Sequence, residues 1–74
     1  MESKQERFIR LAEARTNKII TMIRLLGNCS NRASYEYKDE DVKKIFNAIE
    51  NELKAAKNKF FDVTDSDHQR FKLR

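Results

Sequence analysis

The chain contains no proline and no tryptophan, and only one glycine, one cysteine and one histidine in its 74 residues. Each scarcity excludes something. Without proline, and with glycine confined to position 27, the sequence lacks the turn residues that punctuate a β-sandwich or barrel. A single cysteine, Cys29, cannot close an internal disulfide, and together with His68 it falls short of the ligand set of a structural zinc site. Neither a metal nor a cofactor is expected. No apolar run approaches the roughly 18 residues of a membrane span. The N-terminal MESKQERF has neither the basic start nor the apolar core of a signal peptide. The expectation is a cytoplasmic protein without membrane association. Asn28-Cys29-Ser30 fits the N-glycosylation pattern, which has no meaning without secretion.

What is present points to helices. Charged residues make up 38% of the chain and hydrophobic ones 39%, the balance of solvated helical bundles rather than of a sheet. A chain this short buries a thin core unless a disulfide, a metal or a second subunit supplements it. With the first two excluded, oligomerisation remains.

Ser3-Lys4-Gln5-Glu6 is a capping-box pattern that fixes the start of a first helix. Phe8, Ile9, Ala12, Thr16, Ile19, Ile20, Ile23 and Leu26 then recur at steps of three and four, and so share one face of about 120°. Gly27 follows the last of them, where a left-handed glycine commonly closes a helix, so the first helix is expected over about 4–26. Asp39-Glu40-Asp41 suits the positive end of a second helix, with aspartate as its cap. Its apolar set is Val42, Ile45, Phe46, Ile49, Leu53, Ala56 and Phe60, giving a helix over about 39–60. Glu40 with Lys44, and Glu50 with Lys54, are spaced to support its exposed side. Two helices of about 22 residues, or roughly 33 Å each, suit an antiparallel hairpin. Two apolar stripes are more than one hairpin covers, so two hairpins are expected to form a homodimeric four-helix bundle. From Phe61 the periodicity fails. Residues 61–74 read as a polar tail, either a short third helix capped by Thr64 and Asp67 or a disordered end.

The connector between the helices, LGNCSNRASYEY, is long for a helical hairpin. Its Asn28, Ser30 and Asn31 are expected to satisfy backbone groups at the helix ends, with Tyr35 or Tyr37 lying over the end of the bundle. Cys29 reads as a small buried or half-buried thiol. Arg32 is the connector residue kept as a candidate for function.

Net charge is +4, and residues 1–27 carry six basic side chains against three acidic ones. Lys4, Arg7, Arg15 and Lys18 fall within about 80° of one another, away from the apolar stripe, with Leu11 and Met22 among them. Such a stripe can follow a phosphate backbone while its apolar members meet sugars or bases, and it can equally be a solvated face or a protein interface. The candidate nucleic-acid-binding set is therefore Lys4, Arg7, Leu11, Arg15, Lys18, Met22 and Arg32. No nucleophile with a base, no pair of positioned carboxylates and no glycine-rich phosphate loop can be assembled, so no catalytic residue is assigned.

The segments Arg7-Phe8-Ile9-Arg10-Leu11-Ala12-Glu13, Leu26-Gly27-Asn28-Cys29-Ser30-Asn31, Tyr35-Glu36-Tyr37, Glu40-Asp41-Val42 and Ile45-Phe46 carry a resemblance over roughly residues 7 to 60. In them the chain resembles small proteins of Gram-positive plasmids, integrated conjugative elements and phages. The resemblance implies a mobile-element accessory protein and assigns no activity to any residue. In architecture the chain also looks like the Rop-type RNA-binding proteins of plasmids. Those are short helical hairpins that dimerise and bind RNA through their first helix, though the long connector here departs from their tight turn. The expected function is thus a non-enzymatic binding module that contacts RNA or DNA and regulates maintenance, transfer or expression of its element. The alternative is a protein-interaction module directed at a host or element protein.

Overall fold

The computed structural model describes the backbone of residues 1–71 and the side chains of residues 1–61. The fold is all-α: helix α1 spans Lys4–Asn28 and helix α2 spans Asp39–Phe71, with no strand among the described residues. The chain divides into two units, Met1–Glu36 and Tyr37–Arg74, each holding one helix.

The start of α1 follows its sequence signal. Ser3 sits in extended backbone at φ −76° and ψ 168°. Its hydroxyl accepts from the Glu6 amide at 3.0 Å, and the Glu6 carboxylate accepts from the Ser3 amide at 2.8 Å. Two of the amides that a helix start leaves unpaired are thereby satisfied.

The end of α1 corrects the expectation placed on Gly27. The helix runs through Gly27 and Asn28 to a cap at Cys29, and no glycine has positive φ. The physical reason is the way the last carbonyls are satisfied. Cys29, Ser30 and Asn31 donate their amides to Leu26, Gly27 and Asn28 at 3.0, 3.1 and 3.5 Å, bonds that span three residues. Such tightening of the final turn works with ordinary helical φ, so no left-handed residue is needed. Cys29 is exposed rather than buried, its thiol turned back toward the Leu25 carbonyl at 3.9 Å. The connector then folds on Asn31. Its side-chain oxygen accepts from the Ala33 amide at 3.0 Å, and its carbonyl from the amides of Ser34 and Tyr35 at 3.1 and 2.9 Å. The Asn31 side chain thus satisfies an amide of the connector itself rather than one of a helix end, and Tyr35 is 52% exposed.

Helix α2 opens where the three acids lie, with Asp39, Glu40 and Asp41 in its first turn. The residue ahead of it is Lys38, whose carbonyl accepts from the Asp41 and Val42 amides at 3.0 and 3.3 Å. Its far end departs from the sequence reading: α2 continues to Phe71 as one helix of 33 residues, with no separate third helix. Neither glycine nor proline follows position 27, so nothing in the backbone chemistry forces a stop after Phe60. At 25 and 33 residues the two helices are not matched in length.

Among the described residues none is buried. The apolar stripes form as the periodicity predicts, yet Ile9, Ile19 and Ile23 of α1 and Phe46, Leu53 and Phe60 of α2 remain exposed. Leu11, Ala12, Leu26, Tyr37, Val42 and Ile49 are half-buried.

Candidate nucleic-acid interface

Six of the seven candidate residues lie on α1, at steps of three, four, four, three and four from Lys4 to Met22. One uninterrupted helix therefore aligns them, over a rise of about 27 Å at 1.5 Å per residue. Lys4, Arg7, Arg15, Lys18 and Met22 are exposed, and Leu11 is half-buried among its neighbours. Arg32 is apart from them in the connector, exposed and engaged in an interaction of its own.

The carboxylates of α1 explain which cations remain uncompensated. Glu2, ahead of the helix, takes Arg10 in a two-pronged contact: Nε donates at 2.8 Å and Nη2 at 3.0 Å. The hydrogen bonds from Arg10 hold the Glu2 carboxyl below its ordinary value, and the same contact raises Arg10. The Ser3 amide, then the Ser3 hydroxyl, lower the Glu6 carboxyl. Both acids are thus committed to the helix start. Lys4, Arg7, Arg15 and Lys18 have no carboxylate within ion-pair distance among the described residues. The positive face is a face of unneutralised charge.

Two features of this site escaped the sequence reading. Arg10 and Glu2 are eight residues apart, outside the three- and four-residue spacings that mark helical pairs, and they meet because Glu2 precedes the cap. Leu25, 52% exposed, lies on the same strip, three residues after Met22 and seven after Lys18. Its spacing was a sufficient signal.

No protein-family model, curated protein or solved structure matches the chain. The site must therefore be read from its own chemistry. No group of three or more His, Cys, Asp or Glu that could hold a metal occurs among the described residues. No helix there is long and apolar enough to cross a membrane. The open groove lined by Glu6, Ile9, Arg10, Glu13, Ala14 and Asn17 is a shallow run along one side of α1. What α1 offers a partner is a linear array of donors at helical spacing, suited to an extended polyanion.

Proposed function

We propose that the chain is a small binding module of a mobile genetic element that contacts nucleic acid through the basic face of α1. Lys4, Arg7, Arg15 and Lys18 meet phosphates, Leu11 and Met22 lie against sugar or base surface, and Arg32 adds a contact from the connector. In this reading the two helices form an antiparallel hairpin, two hairpins form a four-helix bundle, and the dimer acts in the cytoplasm on maintenance, transfer or expression of its element.

The observation that carries the reading is the contrast within α1: Arg10 is neutralised by Glu2, whereas the four cations of the stripe have no such partner. Phosphate contacts by lysine and arginine release condensed counterions, so affinity falls as salt rises. Four contacts lower it by about two orders of magnitude between roughly 50 and 200 mM salt. Fluorescence anisotropy with labelled duplex DNA, duplex RNA and single-stranded RNA across that range is the test. No binding at low salt, or binding indifferent to salt, defeats the proposal.

The second reading, a protein-interaction module, has its own support in the exposure of Met22 at 59% and Leu25 at 52%. It predicts a partner retained by affinity purification after nuclease treatment.

A further inference from the structure

The four cations of the α1 stripe form two pairs of one design. Lys4 with Arg7, and Arg15 with Lys18, are each three residues apart. The second pair repeats the first after eleven residues, which is three helical turns plus about 20°, so the two pairs lie on one line about 16.5 Å apart. Leu11 stands midway between them. Met22 and Leu25 continue the line beyond Lys18. No other residue of α1 falls in the arc of about 80° that holds these seven.

What this arc lacks decides which nucleic acid it fits. It holds no aromatic side chain, the platform on which the bases of a single strand stack. It holds no asparagine or glutamine to pair with adenine edges. Arginine and lysine read guanine from inside the major groove, and α1 does not suit insertion there. A helix is about 10–12 Å across and that groove about 12 Å wide, so an inserted helix meets phosphates on both of its flanks. Roughly 60–100° to one side of the arc's centre, α1 offers Phe8, Ala12 and Ile19. One wall of the groove would face an apolar surface. On the other side the nearest cation is Arg10, already held by Glu2.

We infer, resting on the proposed nucleic-acid contact, that α1 takes a double-stranded backbone from outside the major groove, irrespective of base sequence. Each cation pair clamps phosphate, and Leu11 lies over sugar between the clamps. Two clamps on one rigid helix require phosphates at a fixed separation, which a stiff duplex presents and a flexible strand offers only after being ordered. Duplex DNA and duplex RNA share this chemistry. The arms of the test tell them apart.

Fluorescence anisotropy of the full-length protein at roughly 50 mM salt supplies the measurement, with short duplexes of two unrelated sequences, each as DNA and as RNA, and their separated strands. Within either kind of duplex the two sequences should bind within about threefold of each other, where a base-reading protein prefers its own site by about a thousandfold or more. The separated strands should bind at least roughly tenfold more weakly. Duplex DNA whose major groove is filled by glucosylated hydroxymethylcytosine should bind as tightly as the plain duplex. A strong sequence preference, strands that match the duplexes, or loss of binding to the filled groove each overturns the inference and leaves nucleic-acid binding standing. Absence of binding to every probe overturns the two together. The clamp itself is checked by exchanging neighbours, Asn17→Lys with Lys18→Asn, which keeps the net charge and moves one cation about 100° around the helix. Duplex affinity should fall roughly fivefold. Equal affinity would make the amount of charge, rather than its placement, the cause of binding, and the inference would fail.

Discussion

Arg10 holds Glu2 through two parallel hydrogen bonds, from Nε and Nη2 to the two carboxylate oxygens, at 2.8 and 3.0 Å. This contact divides the cations of α1 into one that is neutralised and others that are not. Replacing Arg10 with alanine should therefore leave nucleic-acid affinity and its salt dependence nearly unchanged. Arg7→Ala or Lys18→Ala should each weaken binding severalfold at low salt and reduce the salt slope by about 0.9. Salt titrations of the three variants check this. Equal losses for Arg10→Ala and Arg7→Ala would mean that helix charge as a whole matters, rather than the stripe.

The helix start should be acid-sensitive, because Glu6 and Glu2 are both held below the ordinary carboxyl value of 4.5. A carboxyl depressed in the folded state contributes stability above its unfolded value and loses it as pH falls through the folded one. Fraying of the first turn of α1 is thus expected as pH falls below the ordinary carboxyl value, seen as faster amide exchange at Ser3 and Glu6. In Glu6→Gln the amide oxygen can still accept from the Ser3 amide without titrating. That variant should show a smaller acid response, and an unchanged response would point away from the capping box.

These contacts also show where sequence reasoning succeeds. The capping box is local chemistry over four residues, so Ser3 and Glu6 announced it directly. The stripes were legible for the same reason: periodicity is a property of the helix itself. Gly27 misled because a glycine after an apolar run fits two endings, a left-handed cap or a final turn of three-residue bonds, and composition does not choose between them. The apolar periodicity of α2 ends at Phe60, while the helix itself continues to Phe71. A polar segment without proline or glycine has no breaker in it, and helix type and amphipathic pattern are separate questions. The Glu2–Arg10 contact depends on how the chain enters the helix, which spacing rules do not encode.

Gly27 supplies a direct check on that correction. Its φ is negative, and a Cβ built on it meets nothing within 4 Å. Gly27→Ala should therefore stabilise α1 by about 0.5–1 kcal/mol, by reducing the freedom of the unfolded chain and improving helix propensity. Helicity by circular dichroism and the thermal midpoint should both rise slightly. If the residue instead closed the helix in a left-handed conformation, the same substitution would destabilise it, so the sign of the change decides.

Thr16 is the one polar residue in the apolar stripe of α1, the seam along which that helix is expected to pack. Within a single chain it is exposed, and its hydroxyl is hydrated. A second copy packed on α1 removes that water, leaving the hydroxyl to bond back along its own helix. Polar groups at such seam positions lower stability while restricting register and oligomeric state. Thr16→Val should accordingly raise stability by about 1 kcal/mol. For a domain of this size that corresponds to a thermal midpoint roughly 4–8 °C higher. The same substitution should broaden the mass distribution in light scattering, because register is less constrained. An unchanged midpoint at concentrations where the protein is dimeric would show that position 16 stays in water and that the seam closes elsewhere.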